Sequence, residues 1–215
     1  MSNDKYHHGD LKETLIKNGI KLLNEVGSEN FSLRKLAAMC DVSHAAPYKH
    51  FKSKEDLINQ MIEYAFKEFE DVLQKTVNSY GKNYNNITLE LGKRYVEFMV
   101  TNPDYFKILF LGDFEAKISI KDGKIQSNFR AFNIFKDCAI NTFKMCGIKE
   151  EEYSRNIIAM WSMVHGIAAL LANKTVVYDG DYNKLVEDIL MNNMRGSNRK
   201  CVCSSNEPNA WRGGI

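Results

Sequence analysis

Three residues, Cys40-Asp41-Val42, are all that separate two short amphipathic segments, and a connection that short is a tight turn between helices. Ser32 stands at an N-cap position, with Phe31 before it and Leu36 placed to close a hydrophobic staple, while Leu33, Leu36, Ala37 and Cys40 recur on one face. Ser43 opens the second segment by the same N-cap logic, and that helix is predicted to run through Phe51. Two short helices across such a turn make a helix-turn-helix, here at about 32–51. Upstream, Leu11, Leu15, Ile16, Ile20, Leu23 and Val26 keep helical spacing from Asp10, which pairs with Glu13 as a capping box, to Gly27. Downstream, Ser53 is an N-cap with Asp56 at N3. The stripe from Leu57/Ile58 through Met61/Ile62, Ala65/Phe66 and Phe69 to Val72/Leu73 predicts one long helix linking two regions.

Beyond the polar stretch Tyr80 to Asn86, helical periodicity resumes from Ile87 to Val100, and Asn102-Pro103 reads as N-cap plus N1 proline for a short helix to about Leu111. Asp113 to Ser127 is loop-like. Phe129, Phe132, Phe135, Cys138 and Ala139 begin a helix that ends near Gly147; Glu150 to Asn173 is the most apolar helix, and Leu185, Val186, Ile189 and Leu190 define the last. From Gly196 to Ile215 the composition predicts a disordered tail. With only 3 prolines in 215 residues, the expected class is all-α, with a first domain at 7–67 that contains the helix-turn-helix and a helical second domain at 68–195.

The formal charge of +2 excludes a global basic field, but it is unevenly spread. Between Phe31 and Lys54, Arg34, Lys35, Lys49, Lys52 and Lys54 stand against Asp41 alone, a local net charge of +4. A helix N-terminus flanked by such cations is suited to a DNA major groove, its side chains at base edges and the cations at phosphates. Taken singly, each lysine is a solvated charge; only the cluster on this motif carries the reading. The five cysteines are odd in number and lack a CxxC pair, as expected of free thiols in a reducing compartment rather than a zinc site. His7 and His8 beside Asp10 read as a solvated or phosphate-facing arm, not metal ligands. The start has no apolar leader, and Ile157 to Ala172 is short for a bilayer span, which points to the cytoplasm. No Gly-rich phosphate loop occurs, and His165 has no nucleophile or acid at helical spacing, so neither a cofactor nor an enzyme is expected.

The run from Phe31 to Leu57, with Leu36-Ala37, Val42-Ser43, Tyr48, His50-Phe51 and Lys54-Glu55-Asp56-Leu57, resembles the DNA-binding signature of the TetR family of bacterial transcriptional regulators. Tyr6 to Leu11, and Trp161-Ser-Met-Val-His165-Gly166, further resemble the subgroup named for a Trp-His-Gly signature. The resemblance implies DNA-facing positions at Ser32, Arg34, Ser43, His44, Ala45, Ala46, Tyr48, Lys49 and His50, with Lys54 gripping a phosphate. It also implies a bacterial, cytoplasmic, nucleoid-associated protein. Two departures bear on those contacts: Asp41 stands where Gly is usual in the turn, and Pro47 replaces a common Leu or Phe, removing an early intrahelical hydrogen bond.

The second domain is rich in aromatics, for which core packing is the default reading. The functional alternative is an effector cavity lined by Phe98, Phe106, Phe110, Phe132, Phe135, Trp161 and His165. The helix from Glu150 is apolar around more of its circumference than one face needs, which predicts a homodimer through Ile157, Trp161, Val164, Ala168, Leu171, Leu185 and Ile189 unless other helices of the same chain cover it. The expected function is a repressor released from a palindromic operator by a small apolar ligand. The alternative is a DNA-binding regulator whose second domain only dimerises or binds a protein partner.

Overall fold

The computed structural model describes residues 8–80, 86–110 and 117–197, with side chains from 11 to 192 within those ranges. Helix α1 (His8–Asn30) starts before Asp10 and is kinked at Gly27, whose φ of 75° only glycine adopts easily. Its inner face, Leu15, Ile16 and Ile20, meets α2 (Leu33–Met39) and the start of α3 (Lys54–Tyr80). Ser32 caps α2 by accepting the Lys35 amide at 3.2 Å, and Phe31 and Leu36 are both buried, as the staple requires. The turn is made by Asp41 at φ 53°, a left-handed conformation that the short polar side chain tolerates.

The expected α-helix from Ser43 to Phe51 does not form. The segment is instead a turn, in which the Ala46 amide donates to the Ser43 carbonyl, followed by one 3-10 turn at Pro47–Lys49. Pro47 is the cause. In an α-helix capped by Ser43, residue 47 would donate the first i to i−4 hydrogen bond, and proline has no N–H to give. The α pattern returns only at the end, where the Phe51 amide reaches the Pro47 carbonyl at 2.9 Å. Helix α3 follows the prediction: the Asp56 amide donates to Ser53 Oγ at 3.1 Å, and the Asp56 carboxylate accepts the Lys52 amide at 2.7 Å. At 27 residues α3 is about 40 Å long. Leu57 and Met61 belong to the first domain's core, and Phe66, Phe69 and Leu73 face the helices of the second.

In that second domain α4 (Ile87–Thr101) lies centrally against α3, α6 (Arg130–Met145), α7 (Tyr153–Ala172) and α8 (Tyr182–Ser197). A single residue, Asn102, joins α4 to α5 (Pro103–Phe110). Its backbone carbonyl starts α5, but its side chain caps the end of α4 by donating to the Phe98 carbonyl, the reverse of the expected role. The stretch read as a loop contains a hairpin, β1 (Ile118–Lys121) paired antiparallel with β2 (Lys124–Ser127). Asp122 (φ 49°) and Gly123 (φ 71°) form the two-residue turn with both φ positive that such hairpins favour. The hairpin is the one small sheet among the described residues of an otherwise all-α fold. Glu150–Ala172 is long and apolar enough to cross a membrane by length and composition. Its inward stripe, however, is buried against α4 and α6, as in a core helix. The tail beyond Ser197 lies outside the described residues, and α8 extends past Gly196.

Candidate nucleic-acid interface and aromatic core

Phe51 and Pro47 are buried and anchor the loosely wound segment to the first domain, which turns the neighbouring side chains outward. Arg34, Ser43, His44, Ala45, Tyr48 and Lys49 are exposed, while Ser32, Ala46, His50 and Lys54 are half-buried. Tyr48, at 62% exposure, is a large aromatic standing in solvent beside cations. The sequence-predicted surface is therefore assembled on one motif, with two members also tied to the scaffold. Ser32 holds the start of α2, and the Lys54 ammonium donates to the Ser28 carbonyl. Lys35 makes the parallel contact, donating to the Asn30 carbonyl at 2.9 Å. Both lysines thereby brace the connection between α1 and α2 and keep positive charge at its edge. Hydrogen bonds from the Lys52 amide and the Gln60 side chain hold the Asp56 carboxyl below its ordinary value, so the cap of α3 stays charged at neutral pH.

The predicted effector residues also come together, but as a packed core. Trp161 meets Tyr95 and Phe132 edge-on at 5.1 Å, and Phe135 at 5.6 Å. His165 lies 4.8 Å from Phe110 and 5.7 Å from Phe106, while Phe98 stacks on Phe69 at 5.3 Å. A cavity lined by Leu73, Leu91, Gly92, Tyr95, Phe135, Trp161 and Val164 measures only about 10 Å³. That is room for about one water at most, and the lining is too apolar to hold it. The sequence missed the partner of His165: the buried Tyr95 hydroxyl lies 2.8 Å from its Nδ1. Tyr95 and His165 stand on α4 and α7, and no local spacing announces a pairing across 70 residues. Burial pushes the Tyr95 hydroxyl far up and the His165 imidazole down, so both are neutral at pH 7.

The predicted dimer residues require a correction. Ile157, Trp161, Val164, Ala168 and Leu171 form the inward stripe of α7 and are buried within the chain, so the chain's own helices occupy the face expected to meet a partner. Leu185 and Ile189 are half-buried on α8, whose inward residues are Val186 and Leu190. The outward side of α7 carries Ala159, Ser162 and Leu170, the last 45% exposed. At Gly166 a β-carbon would meet nothing within 4 Å, so packing within the chain does not require a glycine there.

Comparison with known proteins matches this geometry. Residues 15–61 fit the pattern described as bacterial regulatory proteins of the tetR family, and residues 88–191 the one described as a tetracyclin repressor-like C-terminal domain. The class G tetracycline repressor protein of Vibrio anguillarum is 40% identical over 57 residues, which is 26% of this chain and 27% of the repressor. The matched segment thus spans about a quarter of that relative's length. Among solved structures, a Rhodococcus sp. RHA1 protein of unknown function superposes with a TM-score of 0.69 at 21% identity, covering 90% of this chain and 98% of that one. The transcriptional regulator FadR from Bacillus subtilis, in complex with stearoyl-CoA, superposes with a TM-score of 0.61 at 14% identity, covering 83% and 95%. With both domains matched in order, the chain belongs to the TetR family. Members of that family are non-enzymatic, soluble DNA-binding transcriptional regulators, often ligand-responsive and generally dimeric.

Proposed function

We propose that this protein is a homodimeric repressor that reads a palindromic operator through the motif at 32–51 and leaves it when a small apolar ligand enters the aromatic core. The observation that carries the DNA part is the exposed surface of Arg34, Ser43, His44, Ala45, Tyr48 and Lys49, held out by buried Pro47 and Phe51. His44 and Ala45 are placed at base edges, with Ala45 suited to a thymine methyl, and Lys49 at phosphate. Concentrated at the target, such a protein is nucleoid-associated within the cytoplasm. Selection of bound duplexes from random DNA tests this. A palindromic consensus with half-sites about one helical turn apart, or a multiple, supports it; recovery of no consensus contradicts it.

For the dimer, the outward side of α7 around Gly166 and Leu170, continued by Leu185 and Ile189 of α8, is the surface a second copy covers. Sedimentation at micromolar concentration should find a dimer, and Leu170→Glu should shift it to monomer without unfolding it. For the effector, Phe98, Phe106, Phe110, Phe132, Phe135, Trp161 and His165 are the residues that would part to admit it, the ligand stabilising the form that binds DNA less well. Acyl-CoAs belong in the first thermal-shift screen, because the similar FadR structure holds stearoyl-CoA. The close packing of rings around Trp161 favours a second reading, in which the domain only dimerises or binds a protein partner. A ligand that raises the melting temperature and lowers operator affinity selects the first reading, and a screen without hits selects the second.

A further inference from the structure

The segment that presents the DNA-facing side chains winds on a three-residue pitch. The Ser43 carbonyl, which an α-helix would give to the amide of residue 47, is taken by the Ala46 amide at 2.9 Å. The Lys49 amide reaches the Ala46 carbonyl at 3.2 Å, and the His50 amide the Pro47 carbonyl at 3.0 Å, so these hydrogen bonds all span three residues. Side chains three apart eclipse on such a pitch. Ala45 and Tyr48 therefore fall in one row, and both are exposed. In an α-helix Tyr48 would be offset from Ala45 by about 60° and Lys49 by only about 40°, whereas on the tighter pitch Lys49 is turned about 120° away. Pro47 and Phe51, both buried, hold the segment from behind.

We infer that Pro47 determines the operator sequence without touching DNA: it sets the Ala45 methyl and the Tyr48 ring in one apolar row, and that row selects a base pair carrying a pyrimidine 5-methyl group. This rests on the regulator reading above, in which residues 43–49 enter the major groove. The thymine methyl is the one apolar group on a base edge there, so an apolar row gains by covering it and gains nothing at the other bases. The alanine offers a small wall and the phenol ring beside it a large one, and a methyl between them loses more water than against alanine alone. Lys49, rotated off this row, is left to the phosphates. On an α-helical pitch the lysine would lie closer to the Ala45 row than the tyrosine, and a lysine at a base edge selects guanine. A proline at 47 has no amide to donate, and its ring excludes a carbonyl four residues back. It thereby chooses between two readings of the same side chains.

The test uses the full-length chain and the duplex it selects, with uracil placed for thymine one base at a time. Uracil lacks only the methyl. At one position in each half-site the change should weaken binding about fourfold, the value of one buried methyl. Tyr48→Ala should remove that sensitivity, and Lys49→Ala should keep it. Pro47→Ala and Pro47→Leu, the second retaining the buried bulk, should each select a duplex with guanine in place of that base, while a scrambled duplex binds as before. A selected duplex with no position sensitive to uracil overturns the methyl-reading row. The wild-type consensus retained by both proline variants overturns the role of Pro47. A wild-type chain that selects no consensus fails the regulator reading itself, and the inference falls with it.

Discussion

The two domains solve opposite problems with the same helix. Where α3 begins, its surroundings are mostly aliphatic: Leu15, Ile20, Leu36 and Met61 are buried beside the two rings of Phe31 and Phe51, and the exposed surface of the motif is mainly polar or basic, with Ala38, Met39, Ala45 and Tyr48 among it. Where α3 continues, Phe69 stacks into a cluster of rings around Trp161, and the outward surface of α7 mixes Ala159 and Leu170 with Arg155 and Ser162. A domain built to meet a phosphate surface keeps its aromatics few and its charges outside. A domain built to enclose, or to meet another copy of itself, fills with flat apolar groups. On this contrast, core substitutions in the second domain are expected to act on stability, and surface substitutions in the first on DNA recognition.

The sharpest way to break that contrast is to exchange the losses. Trp161→Ala should cost the fold about 3–5 kcal/mol by leaving a hole among Tyr95, Phe132 and Phe135. Tyr48→Ala should cost almost no stability yet change DNA recognition. Chemical denaturation and operator titration of both variants separate the effects; a stability loss on Tyr48→Ala of the Trp161 size would erase the contrast.

The motif at 32–51 was legible because capping and turn rules act over three or four residues: Ser32, Asp41 and Ser53 do what their positions imply. Ser43 shows the limit. It obeys the same N-cap rule as Ser53, but Pro47 four residues later removes the bond that would propagate the helix. The hairpin was missed although its Asp122-Gly123 turn is a strong local signal, because it interrupts an otherwise helical chain. The facing of α7 was not legible from its own residues. An apolar helix does not say which of its sides the chain covers, and only the docking of α4 and α6 assigns Ile157 and Ala168 inward and leaves Gly166 open. Likewise Tyr95–His165 and Asn24–Asp104 are long-range pairs with no sequence period.

Two smaller effects sharpen the difference inside the first domain. Ser53→Ala removes the cap of α3 and should destabilise the protein by about 1 kcal/mol, measurable by denaturation. Pro47→Ala restores the missing amide and should add about one turn of helix, seen as a new protected amide at residue 47 by hydrogen exchange. An unprotected amide there would show that the turn has a cause other than proline.

The gentlest effect belongs to the second domain. Burial lowers the His165 pKa from its ordinary 6.5, so the fold favours the neutral imidazole. The resulting stability is fully present above pH 6.5 and is lost as the pH falls toward the folded value, because the unfolded chain takes up the proton first. His165→Phe should flatten that part of the stability profile; an unchanged slope would place its origin elsewhere.

Binding of the selected duplex across salt, for wild type and Lys49→Ala, measures most directly whether the first domain reads DNA. The selected sequence should bind far more tightly than a scrambled one, with affinity falling linearly on a log–log plot against salt. Lys49→Ala should weaken both sequences alike and reduce the slope by about one unit. Equal affinity for selected and scrambled duplexes, or a wild-type slope near zero, would contradict DNA reading by this surface.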